Sequence, residues 1–343
     1  MNESTVHGFS RREFLAGTSI LGAATLLGLP RTAAAEPPPE VTKIRLVKNP
    51  GICLAPQYLA EELLRLEGFA QIEYVPQTNT NDEPNPHSAV AAGHADFTMD
   101  GAPVLVPSFD GGRPIVVLAG VHGGCYELFG NERVRAIRDL KGKSVAISVF
   151  GSADHVYIAS MMAYVGVDPR KDVKWITTET FDGAMELFVD SKVDAFLGFP
   201  PQPQKVRAMK VGHVIVNTAQ DRPWSQHFCC MVTGHRDFVR KHPVASKRVV
   251  RAILKAADVC AREPERAARY MVTKGHEANY DIALEVVKEV SYNAWRTFDP
   301  EDTLRFHALR LHEAGMIKSN PQKLIAQGTD WRFLNELKKE LKA

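Results

Sequence analysis

The sequence predicts an α/β protein built from two similar units with a cleft between them, followed by a helical C-terminal region. Short apolar segments alternate with stretches of helical spacing along 41–216, and the alternation begins a second time near residue 143. One further apolar strand, 228–233, comes before a long stretch of helical spacing, 244–341. We expect that strand to return to the first unit.

The first unit is predicted from period-two apolar segments and from helices whose apolar residues recur every three or four positions. Its predicted strands are 43–48, 72–75, 95–99, 115–119 and 126–129, and its predicted helices are 54–67, 88–92 and one that opens at 100–103. Because strands and helices alternate, we expect parallel pairing through right-handed crossovers.

The second unit repeats this order. Its predicted strands are 143–147, 173–177, 193–197 and 213–216, and its predicted helices are 152–165, 181–189 and 201–209. Ligands of open α/β sheets bind beyond the carboxyl ends of the strands. The loops that follow the strands of both units are therefore expected to share one crevice.

The N-terminal segment has the features of an export signal in the required order. Arg11 and Arg12 precede an uncharged, moderately apolar run and then an Ala-Ala-Ala cleavage site. This predicts a twin-arginine signal peptide over 1–35 and a stiff proline-rich linker over 36–40. Because residue 36 is Glu36 rather than a cysteine, we expect a freely diffusing periplasmic protein and not a lipoprotein.

Composition narrows the class of protein. Apolar residues make up 45% of the chain and charged residues 24%, as in soluble globular proteins, and the formal net charge is +2. No later run approaches the roughly eighteen apolar residues of a membrane span. No basic run is interleaved with aromatic residues, so we expect no nucleic-acid partner. The five cysteines are an odd number, which does not favour a disulfide framework.

Three segments carry a resemblance to a known family. The segment 137–155 resembles the start of the second lobe in the solute-binding proteins of ABC importers for sulfonate, nitrate and taurine. The segment 92–97 resembles their first-lobe G-x-x-D motif, and 190–195 is similar to its second-lobe counterpart, with Ser191 in place of the glycine. These binding proteins share a fold family with the thiamine-pyrimidine synthases.

The resemblance implies the class II periplasmic-binding-protein fold. The implied division is lobe 1 over 41–140 and 228–343, with the C-terminal helices, and lobe 2 over 141–227. It implies capture of a small polar or anionic organic ligand between the lobes, without catalysis, and delivery to a permease and an ATPase in the inner membrane. The alternative on the same fold is a thiamine-pyrimidine-precursor synthase or another cleft enzyme. The translocase of the twin-arginine pathway is the expected partner during export.

Candidate ligand-binding residues lie mostly on loops that follow predicted strands. They are Cys53, Pro56, Asp100, Gly101, His122, Gly124, Cys125, Gly151, Ser152, Asp154, Phe199, Pro200, Gln202, His227 and Cys229.

Gly151 and Ser152 lie between a predicted strand and a predicted helix, where free backbone N–H groups and the helix dipole hold a small anion. The alternative is that Ser152 only caps the helix. Asp154 in the first turn suits the dipole, but a cleft-facing carboxylate would repel an anion or attract an amine. Phe199 and Gln202 offer an aromatic wall and a polar amide to a small organic ligand.

The neighbouring Cys229 and Cys230 are expected to point to opposite faces of their strand. They are interpreted as two small buried hydrophobes, as including one cleft-facing thiol that contacts ligand, or as metal ligands. The segment 227–231 is similar in placement to the cysteine-rich segment of the thiamine-pyrimidine synthases and has two of its cysteines.

A further group of candidates lies at the edge of the predicted cleft. Gly124 either lets the backbone approach a ligand or forms a simple turn. Cys53, His122, Cys125 and His227 have the chemistry of a soft-metal site. No short-range ligand spacing supports such a site, so we expect a protein without metal or cofactor.

Overall fold

Two five-stranded mixed sheets organise residues 36–77 and 84–342, the part of the chain described in this computed structural model. The predicted signal peptide, 1–35, lies outside these residues. Among the residues described, none of the helices has the length and apolar character needed to cross a membrane.

The strands lie close to the positions that the apolar pattern predicts. They are β1 (Lys43–Lys48), β2 (Gln71–Pro76), β3 (Phe97–Gly101), β4 (Ile115–Gly123), β5 (Glu127–Gly130), β6 (Ser144–Ile147), β7 (Lys174–Thr177), β8 (Ala195–Gly198), β9 (His213–Asn217) and β10 (Phe228–His235). The first sheet has the order β2-β1-β3-β10-β4 and the second the order β7-β6-β8-β5-β9.

Helices cover both sheets, and six of them form the predicted helical C-terminal region after α7. The helices are α1 (Ala55–Leu66), α2 (His87–Ala91), α3 (Ala102–Asp110), α4 (Ala153–Tyr164), α5 (Phe181–Val189), α6 (Gln202–Met209), α7 (Arg236–Lys241), α8 (Pro243–Arg262), α9 (Pro264–Thr273), α10 (Tyr280–Glu289), α11 (Pro300–Glu313), α12 (Pro321–Gly328) and α13 (Arg332–Glu340). The long α8 buries an apolar stripe against α1, which fixes the C-terminal region to the first sheet.

The expectation of parallel pairing throughout is wrong for two strands. β10 pairs antiparallel with β3 and β4, and β5 pairs antiparallel with β8 and β9. Both strands enter their sheet directly from the other sheet. Parallel neighbours in sequence need a helical crossover between them, and these two strands are not reached through one.

One strand lies in a different sheet from the one expected. The strand predicted at 126–129 was expected to complete the first unit, but as β5 it pairs in the second sheet. The chain therefore changes sheets between Gly123 and Glu127, earlier than the predicted lobe boundary at 140. The predicted return of the strand 228–233 to the first unit is confirmed by β10.

Two connections between the sheets run side by side. The backbone N–H of Thr218 donates to the carbonyl of Tyr126 at 2.9 Å, and the N–H of Tyr126 donates to the Thr218 hydroxyl at 2.9 Å. A Cβ at Gly124 would collide with the Thr218 carbonyl group. The glycine is needed because two backbones meet there, so close packing alone accounts for it.

Candidate functional site

Two adjoining cavities lie between the sheets. The inner one has a volume of about 60 Å³ and the outer one about 340 Å³. Both are lined by Pro50, which follows β1, by Phe199, which follows β8, and by Pro84 and Phe181. The loops after strands of both sheets thus share one crevice, as the sequence predicts. We refer to the two cavities together as the cleft.

Four of the predicted site residues line the inner cavity: Cys53, Asp100, Gly101 and Phe199. The Asp100 carboxylate is held in place, since it lies 2.6 Å from Nδ1 of His87 and accepts the backbone N–H of Gly101 at 2.7 Å. Asp100 can therefore present fixed negative charge to a ligand without large movement.

The outer cavity combines aromatic rings with polar and charged groups. Phe181 and Phe199 meet edge to face, with ring centroids 4.8 Å apart. Gln202, another predicted site residue, lines the cavity and donates its amide to Asp182 at 2.9 Å. The acidic and basic residues of the lining are Glu179, Asp182, Lys205 and Glu277. Acidic groups therefore outnumber basic ones along this wall.

The predicted anion anchor at Gly151 and Ser152 has its donors engaged inside its own turn. The Gly151 N–H donates to Nδ1 of His155 at 3.1 Å, and the Ser152 N–H donates to the carbonyl of Val149 at 3.3 Å. The Ser152 hydroxyl donates to Asp154, and its oxygen accepts no backbone N–H of α4. These residues line neither part of the cleft. Ligand anchoring at this turn stays a prediction without support from the geometry.

Asp154 is a structural carboxylate. It is almost fully buried and accepts the backbone N–H groups of Ser148 at 2.6 Å and His155 at 2.8 Å. Burial raises the pKa of Asp154, although these hydrogen bonds oppose the shift. The side chain closes the first turn of α4 and is not among the residues that line the cleft.

Three other predicted residues line a separate cavity of about 100 Å³, Gly124, Cys125 and Pro200. Glu127 also contributes to this cavity, and burial raises the pKa of its carboxyl to about 7. The cavity lies behind the cleft, next to the two connections between the sheets.

Two predicted residues lie away from the cleft. His227 lines a surface groove and stacks on Phe306, with ring centroids 4.3 Å apart. Pro56 is buried in the first turn of α1. Their predicted ligand contacts have no geometric support.

Five side chains converge beside the inner cavity. They are Cys53, His122, Cys125, Cys229 and Cys230, all buried, and we call them the thiol–imidazole cluster. The Sγ atoms of Cys125 and Cys229 are 3.2 Å apart, and those of Cys229 and Cys230 are 3.8 Å apart. Cys53 and Cys230 face the inner cavity.

A bulge in β10 brings the neighbouring thiols together. Phe228 is paired with Gly123 and Cys230 with His122, so two steps along β10 correspond to one step along β4 and Cys229 is the extra residue. A bulge re-aims side chains that would otherwise alternate. The expectation that Cys229 and Cys230 point to opposite faces is therefore wrong. Of the two, Cys230 and not the predicted Cys229 lines the inner cavity.

The thiols and the imidazole of the cluster shift one another's pKa values. The neighbouring thiols of Cys125 and Cys230 lower the pKa of Cys53 well below its usual value. Burial opposes ionisation of Cys229, yet the same neighbours lower its pKa as well. Burial would lower the pKa of His122, but Cys53 and Cys229 raise it overall. Thiols beside an imidazole form a group of soft donors that can bind a metal ion.

The family follows from comparison of the sequence with known proteins. The NMT1/THI5-like family profile matches residues 70–267. This chain belongs to the NMT1/THI5-like family. The family resemblance predicted from 92–97 and 137–155 is thereby confirmed.

Solved structures show the fold of this NMT1/THI5-like chain. The periplasmic nitrate-binding protein NrtA from Synechocystis is similar with a TM-score of 0.72 and 16% identity, over 89% of this chain and 90% of that one. The periplasmic aliphatic sulphonate-binding protein SsuA from Escherichia coli is similar with a TM-score of 0.66 and 15% identity, over 86% of this chain and 99% of that one. The predicted periplasmic-binding-protein fold is confirmed.

One relative was found by sequence. The bicarbonate-binding protein CmpA from Synechococcus is 22% identical over 134 residues, which are 39% of this chain and 29% of CmpA. The matched part thus spans less than a third of that relative.

The inner-cavity residues that sequence reasoning missed in this NMT1/THI5-like protein include Asn49, Asn85, Tyr126 and Cys230. Asn49 directly follows β1, so the rule that ligands lie beyond strand ends could have identified it. Asn85 donates to the carbonyl of Gly151 at 2.9 Å, a contact between distant segments that no local pattern signals.

Proposed function

We propose that this protein is the solute-binding component of an ABC importer and holds a small polar organic ligand in the cleft. The observation that carries the proposal is the pair of adjoining cavities, whose lining is shared by loops of both sheets. A ligand placed there touches both halves of the fold, so binding favours the closed arrangement over an open one. The family and the fold agree with this function.

The sizes of the cavities define how a ligand would lie. The inner cavity, about 60 Å³, admits only a small end group, whereas the outer one, about 340 Å³, has room for an organic body. The inner cavity offers the amides of Asn49 and Asn85 and the Asp100 carboxylate. Phe181 and Phe199 provide an apolar wall at the boundary.

The charges of the lining refine the expected ligand. Relatives are named for nitrate, bicarbonate and aliphatic sulfonates. In this cleft Lys205 and Asp182 line the outer cavity. Asp100 lines the inner cavity. We infer a ligand that carries a hydrogen-bond-donating or cationic group as well as any anionic group, as a zwitterion such as taurine does.

We further propose that the protein works in the periplasm. The support is the order of features in 1–35, with Arg11 and Arg12 ahead of the apolar run. The periplasmic location named for NrtA and for SsuA agrees with it. The proposed partners are the twin-arginine translocase during export and a permease with its ATPase in the inner membrane.

An enzyme on the same fold is the second candidate. The observation that favours it is the position of the Cys53 thiol, which lines the inner cavity where a substrate would lie. The two functions differ in the fate of the bound molecule, because a binding protein returns it unchanged.

The test begins with native mass spectrometry of the full chain purified from its own periplasm, followed by a thermal-stability titration with the molecule found. Phe199→Ala is expected to abolish the ligand-induced stabilisation. Phe150→Ala, which removes an exposed ring outside the cleft, is the matched control and should keep it. Equal stabilisation of both variants contradicts the cleft assignment, and turnover of the molecule to a product supports the enzyme.

A further inference from the structure

We propose that the thiol–imidazole cluster binds one thiophilic d10 metal ion, Zn(II) or Cu(I), at the innermost part of the cleft. Soft thiolates together with an imidazole are the donor set that these ions select in proteins. This inference does not depend on the proposed transport function, since it concerns the cluster alone.

The distances between donor atoms suit a single ion. One ligand atom each from Cys53, His122 and Cys125 lie within 4.8 Å of one another, and the same holds for His122, Cys229 and Cys230. In a tetrahedral site with Zn–S bonds of about 2.3 Å, two sulfur atoms are about 3.8 Å apart. The Sγ atoms of Cys229 and Cys230 are 3.8 Å apart. A shared ion between the two groups needs only small side-chain adjustments.

His122 has the arrangement of a metal-ligating histidine. The side chain is 0% exposed, and its Nδ1 donates to the carbonyl of Gly123 at 2.7 Å. That bond fixes the ring orientation and leaves Nε2 as the lone-pair nitrogen. Nε2 is buried and has no hydrogen-bond partner among the described residues. A metal ion would supply the missing partner.

The fold assembles the donors from four separate segments. Cys53 follows β1, His122 lies on β4, Cys125 lies on the connection to the second sheet, and Cys229 and Cys230 lie on β10. His122 and Cys230 are direct partners across the β4–β10 pair. The bulge at Cys229 places a second thiol of β10 on the same side, which ordinary strand geometry would not do.

The site has both a route for the ion and a shell that excludes water. Cys53 and Cys230 face the inner cavity, so an ion can reach the cluster through the cleft. On another side the buried ring of Tyr292 meets His122 edge to face, with centroids 5.6 Å apart. We assign three ligands to His122, Cys229 and Cys230 and the fourth to Cys53 or Cys125. Binding releases the protons of whichever thiols become ligands.

A disulfide between Cys125 and Cys229 is the competing use of these thiols. Their Sγ atoms are 3.2 Å apart, against about 2.05 Å in a disulfide. Bond formation would consume two donors and leave Nε2 of His122 without a partner. The metal site accounts for the imidazole as well as the thiols.

The test uses the full chain, reduced, stripped of metal and kept without oxygen. Zn(II) and Cu(I) are titrated separately against a chromophoric chelator, and Co(II) is added as a spectroscopic probe of thiolate ligation. We expect one equivalent of ion per chain and a thiolate-to-cobalt charge-transfer band. Cys230→Ser and His122→Ala should weaken binding by about 100-fold or more. Cys260→Ser is the matched control, since Cys260 is equally buried but lies on α8, outside the cluster.

Three results would overturn the site. The first is a parent chain that shows neither saturable metal binding nor the cobalt band. The second is metal binding weakened as much in Cys260→Ser as in the cluster variants. The third is a Cys125–Cys229 disulfide in protein isolated from its own compartment. Tighter binding of Fe(II) than of both proposed ions would overturn the d10 assignment. The cobalt spectrum of the parent decides the question even where a variant fails to fold.

Discussion

Replacing Arg207 with alanine is expected to lower the free energy of unfolding by about 3 kcal/mol at pH 8. Arg207 lies on α6, beside the second sheet, and its guanidinium donates to Glu285 at 2.8 Å and to Glu289 at 2.7 Å, both on α10. It also pairs with Glu127 on β5. One side chain thus joins the second sheet to the C-terminal helices.

The magnitude depends mainly on the Glu127 partner. The side chains of Glu285 and Glu289 are 48% and 41% exposed, and such pairs contribute about 0.5 kcal/mol each. Glu127 is only 5% exposed, and loss of Arg207 leaves its carboxylate buried without a cation. Breaking a buried pair in this way costs about 3–5 kcal/mol. Solvent screening and protonation of the Glu127 carboxylate reduce that cost.

Proton uptake makes the effect depend on pH. Burial raises the pKa of Glu127 to about 7, above its usual 4.5, against the lowering influence of Arg207. A carboxyl with a raised folded-state pKa contributes stability that is full below the unfolded value and is lost as pH rises through the folded value. Removing the guanidinium raises that pKa further. The variant should therefore lose little stability at pH 5. Most of the expected loss should be present by pH 8.

Urea unfolding followed by tryptophan fluorescence at both pH values measures the effect. Glu289→Gln is the matched control and should cost less than about 1 kcal/mol, because it removes only an exposed partner. The reasoning is refuted if Arg207→Ala costs less than about 1 kcal/mol at pH 8, if its cost is the same at pH 5, or if Glu289→Gln costs as much.

Three further predictions concern other parts of the chain. Gly124→Ala should destabilise by about 3 kcal/mol or more through a backbone collision, whereas Gly93→Ala, with positive φ but open space, should cost about 1 kcal/mol; equal urea midpoints would contradict the collision. Asp154→Asn should lower stability by about 1–3 kcal/mol, because an amide N–H₂ would face a backbone N–H donor; an unchanged melting temperature would count against this role. Changing Arg11 and Arg12 to Lys should abolish periplasmic accumulation in cell fractionation, and normal export of the variant would indicate another route.

The sequence predicts the fold well because the signal for it is local. Apolar periodicity shows where strands and helices alternate, and the chain repeats that alternation. Which sheet a strand joins is not local, and the strand predicted at 126–129 was for this reason assigned to the wrong unit. Cys53 after β1 and Phe199 after β8 are predicted as cleft residues because strand ends define the crevice.

The candidate site was harder to predict because its details depend on pairing between distant segments. Cys229 and Cys230 point in the same direction because of the register of β10 against β4, and the residue types do not indicate that register. Gly124 is predicted either to let the backbone approach a ligand or to form a simple turn, and neither interpretation indicates the backbone that packs against it after β9. Gly151 is predicted to offer a free N–H to an anion, but this N–H donates to the His155 side chain one turn ahead.

The side-by-side connections between the sheets also bear on how such a protein could diversify. All five strands of the second sheet lie in one contiguous stretch of chain between β4 and β10. Its entrance and exit are hydrogen-bonded to each other through Tyr126 and Thr218. A segment whose ends are already adjacent is easily inserted into a host domain. The second sheet can therefore be replaced or enlarged during evolution while the strand order of the first sheet is kept.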